Sequence, residues 1–477
     1  MKDRKFVGFF RGYLPDYRIE KRAEKVLEDM LKCGKVVVNK FCSTFAEKKA
    51  AYELFKNNSF TEMELIEALT AKCKSNQGAS HLLCINDTTE INYTSHIDRI
   101  GKKDKDIGPG TKDVNAGFFC HPMLVIDPEQ QLPVGFSSVQ IWNRSWNKKN
   151  KHERCYKKLA IEDKESFRWL KAPQETEALL TQTPMLTMIG DRESDIYEEL
   201  ACIPNEQNHL LIRSSINRRL YDQEYKLFDY LESQPMQLEY TLQISHNKKR
   251  QKRIAKMTLK FAKVKIAKPK NRKQELIDYP DYIEMWAIEA RELPESTPKD
   301  EEPVLWRLLT THALSNVQDA LQCIEWYSMR WLIEELFRVL KSKGLQIESS
   351  QLETGAGLKK QVVMALQVAL TTMTLKMAYD NNHKIKASIL FSRDEIQFFR
   401  ILNETLEGNT QKQKNPFLKD SLAYCSWVLS RLSGWSGYAS QSKPGYISIK
   451  CGLDIFRIKY EGYALAMSLL NNNELKE

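Results

Sequence analysis

The chain has 477 residues, which is too many for one simple hydrophobic core and predicts roughly two or three domains. Its net charge of +10 and its pI near 8.9 favour an anionic partner, although ribosomal, membrane-surface and many cytosolic proteins are also basic. Its 10 cysteines include no C-x-x-C pair and no Cys/His cluster of metal spacing, which excludes the common zinc modules and indicates reduced thiols.

Hydropathy gives no indication of a membrane protein. The apolar run at the N-terminus is too short for a signal peptide. The most apolar later stretch, residues 362–378, contains Gln367, several threonines and Lys376, so it predicts a buried amphipathic helix rather than a membrane span. We therefore expect a soluble cytoplasmic protein without a membrane partner.

The first 75 residues predict a small helical module. One helix covers residues 18–32, and two capping boxes, Thr44 with Glu47 and Thr61 with Glu64, begin two more. The stretch that follows the Thr44 capping box carries three lysines that we expect to be exposed: Lys48, Lys49 and Lys56. Such a module can enter a DNA groove, and the plain alternative is a helical cap on the core.

Strand patterns begin near residue 80. The apolar run at residues 82–85 leads directly to Asp87 and predicts a buried strand that delivers an aspartate. Residues 118–126 and 132–142 flank a turn signal at 127–129, which predicts a hairpin.

A second strand that ends in an aspartate follows further along the chain. A basic loop at 148–158 suits either a DNA backbone or solvent, and two helices are predicted at 162–171 and 175–180. The apolar run at 185–189 then leads to Asp191. A buried strand that ends in Asp is often only a turn or a helix cap, so neither aspartate alone indicates a site.

The middle of the chain looks like an insertion into the strand pattern. After a short strand at 209–213, residues 214–303 are densely basic and contain two alternating strands, at 255–266 and 282–290. The plain alternative is a charged hairpin with disordered tips. Strand character returns around Trp306, and a tryptophan in a strand is usually part of the core.

One helix laid through the stretch from Tyr327 to Lys341 places five residues on a single stripe. The stripe holds one carboxylate between cations, opposite an apolar face. Its members are Tyr327, Arg330, Glu334, Arg338 and Lys341. An ordinary solvated helix face is the bland alternative. The C-terminal part of the chain predicts three more helices, near 392–395, 421–432 and 455–470, without catalytic pairs.

Three carboxylates therefore stand out: Asp87, Asp191 and Glu334. Such a trio can hold two divalent cations around a scissile phosphate, where the cations activate a nucleophile and stabilise the leaving oxygen. Carboxylate oxygens suit Mg²⁺ or Mn²⁺ rather than zinc. The cations beside Glu334 are suited to neutralising a phosphate backbone.

Three motifs together resemble those of the bacterial cut-and-paste DDE transposases of insertion-sequence family four. They are CINDTTEINY, GDRESDIYEEL and the signature Tyr327-x-x-Arg330-x-x-x-Glu334-x(6)-Lys341. The resemblance covers most of the chain and is weakest at the N-terminus and in the middle insertion. It implies an α/β fold with a ribonuclease-H-like catalytic core at 76–380 and a β-rich insertion at about 214–303. It also implies a helical DNA-binding domain at 1–75 and a helical, dimerising domain at 381–477.

The resemblance also implies roles for individual residues. Asp87, Asp191 and Glu334 would bind two Mg²⁺ ions, with Mn²⁺ able to substitute and Asp87 bridging both ions. Trp306 would stack on a flipped base at the transposon end. The expected DNA contacts are Tyr327, Arg330, Arg338, Lys341 and, with a weaker match, Arg213. The expected partners are transposon-end DNA, target DNA and a second copy of the chain, and the steps are nicking, hairpin formation, hairpin opening and strand transfer.

Two rival functions stay open. A ribonuclease-H-like nuclease without transposition would share the three acids but would not need the signature's tyrosine and cations or a base-stacking tryptophan. A DNA-binding regulator derived from a transposase would be expected to lack an acid, yet an inhibitory role through mixed dimers is compatible with all three acids.

Overall fold

The computed structural model describes residues 8–75, 78–101, 103–112, 114–147, 159–244, 250–270, 276–341, 344–381, 384–438 and 441–474. The basic loop expected at 148–158 lies outside these residues. The helices are α1 Tyr17–Cys33, α2 Val38–Phe41, α3 Phe45–Lys56, α4 Glu62–Lys74, α5 Ile97–Ile100, α6 Arg168–Leu179, α7 Tyr197–Cys202, α8 Leu227–Ser233, α9 Val317–Ser328, α10 Trp331–Leu340, α11 Gly355–Asp380, α12 Arg393–Leu406, α13 Leu422–Leu432 and α14 Tyr446–Glu474. The strands are β1 His81–Asn86, β2 Thr89–Asn92, β3 Gly108–Pro109, β4 Ala116–Asp127, β5 Leu132–Trp142, β6 Met185–Gly190, β7 Asn208–Arg213, β8 Leu238–Ile244, β9 Arg253–Ala267, β10 Tyr282–Glu292 and β11 Leu305–Thr310.

One mixed sheet runs through the described chain. Its strand order is β2-β4-β1-β6-β7-β11-β10-β9-β8, and β3 and β5 also pair with β4. Strands β1, β6 and β7 are parallel to one another, whereas β4 and β11 pair antiparallel on either side of them. This arrangement of a mixed sheet with helices is compatible with a ribonuclease-H-like core.

Both faces of the central strands are buried. In β1, Leu83 and Ile85 join the apolar cluster that includes residues of α10 and α11, while Leu82 and Cys84 join a second cluster with residues of α6 and α7. Two-sided burial explains why β1 and β6 show continuous apolar runs instead of alternation. The sheet therefore offers a rigid platform at the ends of these two strands.

The N-terminal helices form as the sequence predicts. Helix α1 ends at Gly34, whose φ of 59° is left-handed, a backbone conformation that glycine adopts without a steric penalty. Both capping boxes are present: the Thr44 and Thr61 hydroxyls accept hydrogen bonds from backbone N–H groups, and the backbone N–H groups of the two threonines donate to the carboxylates of Glu47 and Glu64. Helices α3 and α4 pack against α11, which joins this helical layer to the core.

The hairpin of β4 and β5 is confirmed, but the prediction of two helices after it is wrong. A single helix, α6, covers the region, preceded by short 3₁₀ turns at Ile161–Asp163 and Glu165–Phe167. Pro173 lies inside α6, where it lacks an N–H to donate. Full burial of Trp169 and Ala172 on the same helix outweighs this loss.

The middle segment contains the two predicted strands, as β9 and β10. With β8 they extend the central sheet, because β11 pairs with β7 on one side and β10 on the other. Buried ion pairs fix this extension. Glu289 pairs with Arg307 at 2.7 Å, and Glu292 pairs with Arg253 at 2.8 Å. The basic segment is thus continuous with the sheet that carries the candidate site.

The prediction of one continuous helix from Tyr327 to Lys341 is wrong. Helix α9 ends at Ser328, α10 begins at Trp331, and the turn between them is closed by i→i−3 hydrogen bonds, including Arg330 N to Tyr327 O at 3.0 Å. The hydroxyl of Ser328 donates to Glu325 O at 2.6 Å, a competing bond that favours ending the helix.

The C-terminal part of the chain is helical, as expected. Helix α11 is long and apolar enough to cross a membrane by composition, but 83% of its apolar window is buried inside the protein, in agreement with the prediction of a core helix. Ser392 and Glu395 form the predicted capping box of α12. The last helix is longer than expected, since α14 starts at Tyr446 rather than near residue 455.

Candidate active site

The two aspartates lie side by side at one edge of the parallel strands. Ile85 of β1 pairs with Ile189 of β6 in the parallel register, so the residues two positions further on, Asp87 and Asp191, occupy equivalent positions beyond the strand ends. Gly190 allows the tight turn here, because a Cβ atom on it would lie 2.2 Å from the Ser194 hydroxyl. Two separate sequence signals thus meet in space.

Backbone N–H groups orient both aspartates. Asp191 caps the 3₁₀ turn Arg192–Ser194 by accepting a hydrogen bond from Glu193 N at 2.8 Å. Asp87 accepts one from Thr88 N at 2.7 Å. Each carboxylate keeps a second oxygen that can serve as a ligand.

Burial raises the pKa of Asp87 from 3.8 to about 7, and the neighbouring charge of Asp191 adds to the rise. Glu334 acts in the same direction, while the Thr88 N–H and Arg330 oppose it. Asp87 is therefore close enough to Asp191 and Glu334 for electrostatic repulsion between the carboxylates. Their mutual repulsion is of the kind that a bound divalent cation relieves.

Arg330 connects the aspartate loop to Glu334. Its Nη2 lies 2.5 Å from the Glu334 carboxylate, and its Nη1 lies 3.5 Å from the Asp87 carboxylate. Arg330 is the residue before α10 and Glu334 occupies the first turn of this helix, so the start of α10 lies close to Asp87 after the end of β1. One guanidinium thereby supplies the positive charge between two of the acids.

The donor chemistry of this trio suits Mg²⁺ or Mn²⁺, since all three groups are carboxylates with no sulfur or imidazole among them. In the described part of the chain, no three His, Cys, Asp or Glu side chains converge as they stand into a group that could hold a metal ion. Glu334 accepts a hydrogen bond from Arg330 through Oε1. The three carboxylates are suitable ligands for a divalent cation, and the Glu334 side chain is paired with Arg330.

The structure does not place the predicted DNA contacts on one open face. Tyr327 is only 3% exposed and Arg330 is also buried, so their prediction as members of an exposed stripe is wrong. Arg338 is open, with 52% of its side chain exposed, and pairs with Glu335 at 2.6 Å. Lys341 is mostly covered and donates from Nζ to the backbone oxygen of Glu90. Tyr327 lies on the buried face of α9, together with Ala320, Cys323 and Ile324.

Trp306 and Arg213 lie next to Tyr327. The Trp306 ring is half-buried and meets Tyr327 edge to face at 5.7 Å between centroids. Arg213 donates from Nη2 to Leu305 O at 3.0 Å, and burial lowers its pKa. Burial raises the pKa of Tyr327, against the opposing charges of Arg330 and Arg213. Trp306 thus packs on the core with one edge and keeps part of its surface accessible.

Sequence reasoning missed several residues at this site. Trp331 is 53% exposed and lies beside Arg330, whose guanidinium carbon is 5.6 Å from its ring centroid. Behind the aspartates, Thr88, His121 and Arg168 form a polar layer. Trp331 stands inside the signature, so helical periodicity could have found it, whereas no local pattern connects the other three residues.

Part of the chain matches a known protein family. Residues 204–371 match the family model of the transposase DDE domain. The match includes Arg213, Trp306 and the stretch from Tyr327 to Lys341 with Glu334, and it begins after Asp87 and Asp191. It supports a DDE transposase, a class that acts on DNA and generally uses divalent metal ions.

Proposed function

We propose that this chain is a cut-and-paste DNA transposase of insertion-sequence family four, with Asp87, Asp191 and Glu334 as the ligands of two Mg²⁺ ions. The observation that carries the proposal is the equivalent register of Asp87 and Asp191 on adjacent parallel strands, with Glu334 reached through Arg330. When bound, the two ions would polarise the scissile phosphate and activate the attacking water or 3′-hydroxyl. Mn²⁺ should replace Mg²⁺, because both ions prefer oxygen ligands.

Arg330 has two roles in this proposal. Without metal it compensates the negative charge of Glu334 and Asp87. If Glu334 held a metal ion instead, the guanidinium of Arg330 would be free to bind a DNA phosphate, for which its paired donors are suited. Arg338, already exposed on α10, contacts the backbone further along, and Lys341 and Tyr327 shape the floor of the site.

Trp306 and Arg213 would serve the hairpin step. A half-buried indole that rests against Tyr327 is held in place from behind and leaves part of its ring for a base. Stacking of a base on an aromatic side chain contributes roughly 1–3 kcal/mol. That is enough to hold one flipped nucleotide out of the duplex while its strand folds into the hairpin.

Two flanking regions would assemble the complex on transposon ends. The helical segment 1–75 would bind the terminal repeats, with Lys49 and Lys56 exposed on it. The segment 381–477 would join two copies of the chain. Helix α14 supports this because it exposes a row of apolar side chains that include Ile458, Leu465 and Leu469. Target DNA would then be captured by the paired sites.

A second candidate is a DNA-binding regulator of transposition that cuts weakly or not at all. The pairing of Arg330 with both Asp87 and Glu334 favours it, because an acid held by arginine is not available to a metal ion. The two functions differ in one property that can be measured. The transposase exchanges arginine for metal and cuts, whereas the regulator keeps the ion pairs and only binds.

The DNA that flanks the gene supplies candidate terminal repeats for the test. Labelled duplexes carrying these ends are incubated with the full chain and Mg²⁺ or Mn²⁺, and the products are separated on denaturing gels beside those of Asp191→Ala. Metal-dependent nicks and hairpins at the repeat boundary, absent with the variant, establish transposition chemistry. Binding without cuts establishes the regulator, and cuts that ignore the boundary establish a ribonuclease-H-like nuclease.

A further inference from the structure

Arg168, at the start of α6, reaches both aspartate loops at once. Its Nε donates to the Thr88 hydroxyl at 2.8 Å, and its Nη2 donates to the Glu193 carboxylate at 2.5 Å. Its Nη1 donates to the backbone oxygen of Glu165 at 2.7 Å, which ties the guanidinium to its own chain. Every nitrogen of this group therefore has a partner, and two of the three partners belong to segments that carry a candidate ligand.

The first arm of Arg168 acts on the segment of Asp87. Thr88 follows Asp87 directly, and the Thr88 N–H is the group that orients the Asp87 carboxylate at 2.7 Å. The Thr88 hydroxyl also lies 2.9 Å from Nδ1 of His121, which is fully buried in β4. Since Arg168 only donates, the Thr88 hydroxyl accepts from it. Thr88 is thus held from two sides.

The second arm acts on the segment of Asp191. Glu193 uses its backbone N–H to bind the Asp191 carboxylate at 2.8 Å, and it uses its side chain to bind Arg168. The arrangement mirrors that around Thr88, because in both loops one residue contacts the aspartate through its main chain and Arg168 through its side chain. Arg168 therefore connects the two aspartates through two short paths of equal design.

The surroundings of Arg168 keep it in this position. Only 13% of its side chain is exposed, and its guanidinium carbon lies 5.7 Å from the Trp142 ring centroid and 5.5 Å from that of Trp169. Aromatic rings stabilise a guanidinium that lies over them. A lysine at this position has one point of charge and cannot make three separate donations in a plane.

We propose that Arg168 is a positioning residue that sets the separation between Asp87 and Asp191 and so determines the affinity of the site for divalent cations. This rests on the proposed function, because it takes the two aspartates as metal ligands. Arg168 itself contacts neither the carboxylates nor the reacting phosphate. Hydrogen-bonding partners of metal ligands commonly change metal affinity by about 10- to 100-fold when they are altered.

The test measures Mn²⁺ binding to the full chain without DNA, by titration with detection of free Mn²⁺ in its EPR spectrum. We expect Arg168→Lys to bind Mn²⁺ about 10- to 100-fold more weakly than the native chain. Binding of transposon-end DNA without metal should be unchanged. Lys171→Ala is the matched control, since Lys171 lies one turn further along α6 and pairs only with the exposed Glu175 at 3.6 Å among the contacts of the described residues. It should bind Mn²⁺ like the native chain.

Glu193→Gln covers the case in which Arg168→Lys does not fold, because the Glu193 side chain is 65% exposed and tolerates change. It should weaken Mn²⁺ binding in the same direction by a smaller factor. Native Mn²⁺ affinity in folded Arg168→Lys or in Glu193→Gln, or equal weakening in Lys171→Ala, overturns the role of Arg168 and leaves the proposed function standing. A native chain that binds no Mn²⁺ overturns the metal site and Arg168's role together.

Discussion

Asp87→Asn should stabilise the metal-free protein, because the substitution removes a charge that the fold disfavours. The pKa of Asp87 is raised from 3.8 to about 7, mainly by burial and then by Asp191. A carboxyl whose folded-state pKa is raised binds its proton more tightly in the folded chain. The stability that this bound proton contributes is therefore fully present below the pKa that Asp87 has in the unfolded chain. It is lost as the pH rises through the pKa that Asp87 has in the folded chain.

The magnitude follows from the shift. One pKa unit is worth about 1.4 kcal/mol, so the raised pKa of Asp87 costs the folded state at most about 4 kcal/mol at pH 8, where the carboxyl is ionised, and about 2 kcal/mol at pH 5, where folding protonates it. Asparagine resembles the protonated acid, and its Oδ1 can still accept from Thr88 N. The free energy of unfolding of Asp87→Asn should exceed that of the native chain at both pH values, and by more at pH 8.

Urea unfolding in EDTA at pH 5 and pH 8 measures this difference. Asp420→Asn is a control of opposite sign, because a hydrogen bond with the Arg400 guanidinium lowers the pKa of Asp420, so its removal should destabilise. Added Mg²⁺ should then stabilise the native chain and not Asp87→Asn. A loss of stability in Asp87→Asn, or a gain that is the same at both pH values, would refute the reasoning.

Three further predictions concern other parts of the molecule. His81 and His312 share the Thr187 hydroxyl, and burial lowers the pKa of His81 to about 4 and of His312 to about 3. The unfolded chain therefore takes up protons first as the pH falls below about 6.5, so His312→Gln should melt with a weaker dependence on pH between 6.5 and 4 than the native chain, and identical slopes would count against it. Trp306→Ala should nick transposon ends but form few hairpins, which a denaturing gel shows; a normal hairpin yield would return Trp306 to a purely structural role. Binding of transposon-end DNA should weaken steeply with salt because counterions are released, and a flat dependence in gel-shift titrations would argue against a DNA partner.

The parts of the fold that local sequence controls were predictable. The apolar runs before Asp87 and Asp191 form buried strands. Continuous apolar residues indicate a strand that is covered on both faces, so this burial could be predicted from the sequence. Capping boxes at Thr44, Thr61 and Ser392 begin helices for an equally local reason, since each side chain binds an N–H within its own first turn.

The errors have a common physical origin in tertiary contacts. Periodicity placed Tyr327 and Arg330 on an open stripe, but both residues are buried, Tyr327 beside Trp306 and Arg330 between Asp87 and Glu334. The bond between Arg168 and Thr88 spans 80 positions along the chain, and no window of sequence carries it. Periodicity also gave no sign that Arg330 would approach Asp87, because that contact depends on where α10 meets the end of β1.

The central claim is that Glu334 completes a metal site with the two aspartates and does not hold DNA itself. Glu334→Ala, compared with the native chain on labelled transposon ends in Mg²⁺, tests it through two readings of one sample: the fraction of DNA bound in a gel shift and the fraction cut on a denaturing gel. We expect DNA binding to remain and cleavage to be lost. Equal loss of binding and cleavage, or cleavage at the native rate, would contradict the assignment.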